Sequence, residues 1–293
     1  MMKKWMKVTV AIVFLGTIIA HAQTKAQKAA KPKKEEIVFF DDFNGPSLDR
    51  SKWNVVVTRN NVVNNELQAY VDSSATLYIA HGKEAAGAKN GVLVINPIYS
   101  KGFVTKEGKQ LDFLSGRIDS RDKVMFTYGS VSARMKLPAG TGFWPAFWAL
   151  GNGRWPDIGE IDIMENVGEP DWISAALHGP KYSGETPIVN KVFLKNTDIT
   201  DWHVYSVDWT QDSLIFKVDN EMYYRVTRPM IETYGKWAFD NPKYLIVNLA
   251  LGGAYPAKTN GVKLPYYGFP ESTLQLLKDG KGKVLVDWVK ITK

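Results

Sequence analysis

The chain has 293 residues, 45% hydrophobic and 23% charged, which excludes a disordered or collagen-like polymer and allows a large core. Its formal net charge of +7 sits at the N-terminus, where Lys3, Lys4 and Lys7 carry +3 and residues 23–36 another +3. The +1 left for residues 37–293 excludes a broad basic face for nucleic acid.

The first element is a positive segment, MMKKWMK, then a 13-residue apolar run, VTVAIVFLGTIIA, and the small-residue site AHA before Gln23. This order of regions predicts a secretory signal peptide over residues 1–22. A membrane span needs about 20 apolar residues, more than the run supplies. Residues 23–36, QTKAQKAAKPKKEE, read as a lysine-rich solvated linker. The mature protein is therefore expected in the periplasm or outside the cell, free of the membrane once the signal is removed, and as a monomer. The chain has no cysteine, so an exported domain must be held by its core without disulfides.

From Ile37 onward short β-type runs follow one another: IVFFDDF, WNVVV, GVLVINP, VMFTYGSVSARMKL, FWPAFWAL, IDIMENV, ISAALH, HVYSVDW, SLIFKVD, YLIVNLAL and VLVDWVKI. Turn sequences such as NGPS, PAGTG and GNGRWPD separate them. In HVYSVDW, Tyr205, Val207 and Trp209 share one face while Ser206 and Asp208 take the other. One short helix is expected at 270–278, PESTLQLLK. The expected fold is a single all-β domain over 37–293, a sandwich of two antiparallel sheets.

The familiar nucleophile, metal and phosphate motifs are missing. The chain contains no G-x-S-x-G, H-E-x-x-H, P-loop or G-x-G-x-x-G. Its four histidines, at 21, 81, 178 and 203, are too dispersed to suggest a transition-metal site. Carboxylates and aromatics remain.

The informative stretch is GEIDIMENVG, residues 159–168. Alternation along a strand puts Glu160 and Asp162 on one face and sends Glu165 to the other. A solvated acidic edge would explain the first two and leave Glu165 on the apolar side. A β-bulge at Ile163 and Met164 returns Glu165 to the face of the other two. Glu160 and Glu165 are then about 13 Å apart at Cα, at roughly 3.3 Å per strand step. Two glutamates leaning over a shorter aspartate can approach the roughly 5–5.5 Å separation of retaining glycosidases, against about 6.5–9.5 Å in inverting ones. Three crowded acids cannot all ionise, so one is held protonated and can act as an acid. Trp144, Trp148 and Trp155 lead into this strand, and flat aromatic faces suit the C–H faces of pyranose rings. Sequence leaves each tryptophan open to a core role as well.

WPAFWALGNGRWPDIGEIDIMENVG closely resembles the active-site strand of glycoside hydrolase family 16, in the bulged E-x-D-x-x-E form of its laminarinase-like (endo-β-1,3-glucanase) branch. FFDDFNG, NNELQAY, SGRIDSRDK, YGSVSARMKLP, ALHGPKYSG, WHVYSVDW, LIVNLALGG and VLVDWVKI extend the likeness over nearly all of 37–293. The resemblance implies a jelly-roll sandwich with a concave cleft and a secreted, endo-acting, retaining hydrolase. It implies Glu160 as nucleophile, Glu165 as general acid/base and Asp162 as the helper between them. It also places His178 beside Asp162, puts Asn65, Glu66, Arg117 and Arg134 in contact with sugar, and makes Trp144, Trp148 and Trp155 a ring-stacking wall. Asn248 is expected to face the cleft and Trp288 to be core. Catalysis on this pattern needs no cofactor; relatives often carry a structural Ca²⁺, for which Asp287 is the matching side chain.

Two departures bear on substrate. LQAY has Ala69 where the family commonly has a ring, and residues 252–282 are longer than the usual passage. The expected glycan is β-1,3-glucan or mixed-linkage β-glucan. An endo-β-galactosidase acting on mucin O-glycans and a non-catalytic carbohydrate-binding protein are the alternatives. Transglycosylation would use the same residues.

Overall fold

The computed structural model describes residues 35–59 and 62–293. The expected signal peptide and all but the last two residues of the linker lie outside them. Glu35–Lys293 forms one compact unit. No helix among the described residues is long and apolar enough to cross a membrane.

Alternating apolar residues build two sheets whose facing sides share one core. The back sheet runs β16 (Glu221–Thr227), β15 (Ser213–Val218), β14 (His203–Trp209), β9 (Gly129–Lys136), β18 (Val284–Thr292), β5 (Val92–Ile95) and β4 (Leu77–Ala80), with β1 (Ile37–Asp41) also on β18. The front sheet runs β13 (Val189–Phe193), β12 (Trp172–His178), β11 (Glu160–Glu165), β10 (Phe143–Gly151), β17 (Lys243–Leu251), β8 (Arg117–Asp119) and β2 (Asn54–Val55). All pairings in both sheets are antiparallel. A small third sheet orders β3 (Gln68–Tyr70), β7 (Gln110–Ser115) and β6 (Ile98–Val104), with β3 and β7 parallel.

Parity decides which face of each strand is inside. Phe143, Phe147 and Ala149 of β10, Ile161 and Ile163 of β11, and Leu245, Val247 and Leu249 of β17 enter the core. They meet Val131, Ala133 and Met135 of β9 and Tyr205, Val207 and Trp209 of β14 in the same cluster. Each Val, Leu, Ile, Phe or Met among them contributes about 1.5–3 kcal/mol by leaving water. The residues between them, Trp144, Ala146 and Trp148 on β10 and Asn248 on β17, therefore point to the outer face of the front sheet, where the cleft lies.

The expected helix is present as α3 (Glu271–Lys278). Two further helices, α1 (Arg228–Glu232) and α2 (Ala254–Asn260), were not legible as periodic segments because each is under eight residues. Trp288 is not core. β18 shifts register between Val286 and Trp288, so Trp288 pairs with Arg134 and shares its outward side, half-buried.

Candidate active site

β11 lies inside the front sheet between β12 and β10, and its pairings show the bulge directly. On β12, Asp162 pairs with Ala176 and Glu165 with Ser174, so Ile163 and Met164 oppose one residue. On β10, Phe147 pairs with Met164 while Trp148 pairs with Asp162, again leaving one β11 residue extra. Ile163 and Met164 are both in the core. Two apolar residues thus turn inward in succession, and Glu160, Asp162 and Glu165 emerge on the same face.

Each glutamate has its own indole donor. Trp155 Nε1–H donates to Glu160 Oε2 at 3.0 Å, and Trp144 Nε1–H donates to Glu165 Oε1 at 2.9 Å. His178, directly across from Glu160 on β12, places Nε2 3.2 Å from Asp162 Oδ2 and 3.9 Å from Glu160 Oε1. Burial is the main cause that pushes all three carboxyls up to about 8. The charge of Asp162 adds to the rise at Glu160 and Glu165, while His178 and the indole donors oppose it. A buried row of acids with raised affinity for protons, an imidazole at the Glu160 end and an open face beside it, is equipped for proton transfer paired with nucleophilic attack.

A second group lines the face toward β8 and β2. Trp148 Nε1–H donates to Asn248 Oδ1 at 2.7 Å, and Asn248 Nδ2–H donates to Tyr70 Oη at 3.1 Å. Tyr70 Oη–H and Gln68 Nε2–H both point at Glu66 Oε2, at 3.4 and 2.7 Å. Burial raises the Glu66 carboxyl, and the nearby Arg117 guanidinium opposes this. Arg117 lies 4.9 Å over the Trp148 ring, and its Nε is buried without a hydrogen-bond partner. Glu66, Gln68, Tyr70 and Arg117 line a pocket of about 490 Å³ with Val56 and Thr58. Asn65 sits in a left-handed turn (φ 54°) just before Glu66 and is exposed. Gln68 and Tyr70 were missed by sequence reasoning, although β3 parity from Glu66 would have indicated both.

The three tryptophans differ in what they present. Trp155 is 45% exposed and Trp148 half-buried, so both offer ring surface to the cleft. Trp144 is 9% exposed and packs edge-on against Tyr255 of α2, with ring centres 5.4 Å apart. It belongs to a small cluster with Val167, Trp172 and Ala250, and serves Glu165 through its N–H more than it offers a stacking face. Ala69 is fully buried, so the missing ring there does not itself alter the cleft wall. The long 252–282 passage does reach the site, because α2 brings Tyr255 to Trp144.

Arg134 is not brought to this site. Ala133 and Met135, its neighbours on β9, enter the core, so Arg134 points out of the back sheet, away from the acids. There its Nη1 lies 2.5 Å from Asp287 Oδ2 and 2.9 Å from Gly87 O, with the guanidinium 4.8 Å over Trp202. Asp287 Oδ1 accepts from the Lys89 amide at 3.2 Å. The one side chain matched to calcium is thus already engaged by a guanidinium and an amide. A calcium ion at Asp287 would have to displace the Arg134 guanidinium from Oδ2. Arg134→Ala strands a carboxylate that is 2% exposed, and is expected to cost about 3–5 kcal/mol in urea unfolding. Activity per folded molecule should be unchanged.

The chain matches a known family along most of its length. Residues 50–289 match the model of "Glycosyl hydrolases family 16". A "Beta-glucanase" of Rhodothermus marinus is 33% identical, over 87% of this chain and 88% of its own length. "Glucan endo-1,3-beta-glucosidase A1" of Niallia circulans is also 33% identical over 88% of this chain, which spans 38% of that longer protein. The endo-β-1,3-glucanase of Pyrococcus furiosus superposes with a TM-score of 0.74 at 32% identity, covering 88% of this chain and 94% of that one. With the jelly-roll sandwich and the bulged carboxylate strand already described, these matches carry one conclusion: the chain belongs to glycosyl hydrolase family 16.

Proposed function

We propose that this glycoside hydrolase is an endo-acting retaining enzyme that cleaves β-1,3-glucan or mixed-linkage β-glucan. The observation that carries the reading is the row Glu160, Asp162 and Glu165 on one face, with a separate indole donor for each glutamate. Glu160, the glutamate whose Oε1 lies 3.9 Å from His178 Nε2, is the nucleophile. Glu165 holds the proton that the leaving sugar needs.

In the first step Glu160 attacks the anomeric carbon as the glycosidic C–O bond breaks, and the Glu165 proton passes to the departing oxygen. In the second, Glu165 takes a proton from water, whose oxygen attacks the same carbon and releases Glu160. Asp162, buried beside both and within 3.2 Å of His178 Nε2, holds charge and proton in balance between them. Trp148, Trp155, Asn65, Glu66, Arg117 and Asn248 orient the sugars. The near-neutral charge of residues 37–293 suits an uncharged glucan. A pure binding protein gains nothing from three buried acids, whose desolvation costs stability. The reading includes export through residues 1–22, action as a monomer and no catalytic cofactor.

Product release from laminarin, barley mixed-linkage glucan and mucin O-glycans tests this reading. Soluble oligosaccharides from a β-glucan are the expected result. Release from mucin glycans alone would move the substrate to β-galactose chains, and binding without release from any would overturn the enzymatic reading.

A further inference from the structure

The most unusual side chain outside the carboxylate row is Lys243. It opens β17, a strand buried at every position, and is itself 0% exposed, although lysine is almost never fully buried. By parity with Leu245 and Val247 it points to the inner side of the front sheet, beneath the end of the sheet that carries Glu160. Its Nζ lies 2.7 Å from Ile158 O, 3.2 Å from Gly159 O, 3.3 Å from Ala238 O and 3.0 Å from Asn241 Oδ1. The rings of Phe239 and Trp209 flank it at 5.5 and 5.8 Å. One ammonium therefore ties three segments together: the start of β17, the loop at 238–241, and the turn that delivers the first residue of β11.

That turn has little freedom of its own. Gly159 has φ +67°, and a Cβ there would stand 2.2 Å from Ala238 O. The next residue is Glu160. We propose that Lys243 is a positioning residue for the nucleophile: its buried ammonium fixes the Ile158–Gly159 turn and thereby sets where the Glu160 carboxylate meets the anomeric carbon. The inference rests on the reading of Glu160 as nucleophile. Burial pushes the Lys243 ammonium down to about 7, and the charges of Glu160 and Asp240 pull it back up. Four oxygens, three of them backbone carbonyls, hold the Nζ in place.

The test compares wild type, Lys243→Met, Lys243→Gln and, as a core control, Val207→Ala. Val207 lies in the same core on β14 of the back sheet, where it pairs with Val131 of β9. Each is assayed on laminarin and with a 2-deoxy-2-fluoro-β-glucosyl fluoride of the β-1,3 series. With that probe the C1–F bond breaks, fluoride leaves, and a C1–O bond to the nucleophile accumulates for peptide mass mapping. Labelling of wild type on Glu160 is expected; labelling elsewhere would overturn the nucleophile assignment and this inference with it. With Glu160 labelled, folded Lys243→Met is expected to lose about 10–100-fold in kcat and in labelling rate. Its KM should stay within about threefold, the signature of an interaction realised in the transition state. Val207→Ala, though less stable, should keep wild-type kcat. Folded Lys243→Met with kcat equal to that of Val207→Ala overturns the proposal. If Lys243→Met does not fold, a folded Lys243→Gln with wild-type kcat does the same. A chain that folds with neither substitution also overturns it, by making Lys243 a requirement of the fold alone.

Discussion

Glu160→Gln is expected to lower kcat on β-1,3-glucan by about 10⁴–10⁶-fold, the range seen when a covalent nucleophile is removed. The variant should still fold and bind. Its amide is neutral, nearly isosteric, and can keep its oxygen on the Trp155 N–H that now sits 3.0 Å from Oε2. Glutamine also removes a buried acid that competes for charge with Asp162. The sharper form of the experiment uses Glu160→Gly with azide and an aryl β-glucoside. Azide then occupies the vacated space and attacks once, so the product is the α-azide. A β-azide from that variant, or wild-type turnover in Glu160→Gln, would remove Glu160 from the nucleophile role.

This result depends on the bulge, which was also the part of the site most legible in the sequence. Glu160, Asp162 and Glu165 could share a face only if two residues between the last two turned inward, and Ile163 and Met164 are the apolar pair that does so. A parity conflict among acids has one cheap solution in a β-sheet, so spacing alone carried the argument. His178 and Asn248 fall on the cleft face for the same reason, His178 one strand pairing from Glu160 and Asn248 two from Glu165, through Ala146.

Other parts were not legible, for physical reasons that differ. Arg134 is sent to the far side by a parity the sequence does show, since Ala133 and Met135 flank it. The motif likeness of YGSVSARMKLP outweighed that signal, and the back sheet claimed the side chain. Trp144 could be placed on the right face, but its burial by Tyr255 comes from α2, a seven-residue helix with no periodicity to read. Short strands such as β8 and β13 carry too few residues to alternate visibly, and WNVVV forms only the two-residue β2 because its partner β8 is three residues long. Lys243 was detectable as a cation at an inward position of YLIVNLAL's strand, but its ligands are mainly backbone carbonyls, which a sequence does not display.

Glu165→Gln is the second substitution expected to have a large effect, and its pattern differs from that of Glu160→Gln. On laminarin, where the leaving sugar needs a proton, kcat should fall about 10²–10⁴-fold, the usual contribution of a positioned acid. A dinitrophenyl glycoside needs no proton on departure, so its first step should be nearly unaffected; the second step, which needs a base, should stall. Azide should relieve that stall and give the β-azide, because two displacements have occurred. In wild type, burial pushes the Glu165 carboxyl up to about 8, so the acid form is present at neutral pH and is lost as pH rises through that value. The basic limb of kcat/KM on laminarin should therefore disappear in the variant. Stability should move in the opposite direction to activity. The unfolded carboxyl titrates near 4.5 and the folded one near 8, so between those values the folded state binds more protons and wild-type stability falls as pH rises. Glutamine removes that burden. At pH 8 the variant should melt higher by about 2–4 °C for each 1 kcal/mol relieved in a domain of this size. At pH 4, where both states are protonated, the difference should vanish. An equal Tm offset at both pH values would show that Glu165 does not carry its proton in the folded enzyme, and would leave the acid role to another member of the row.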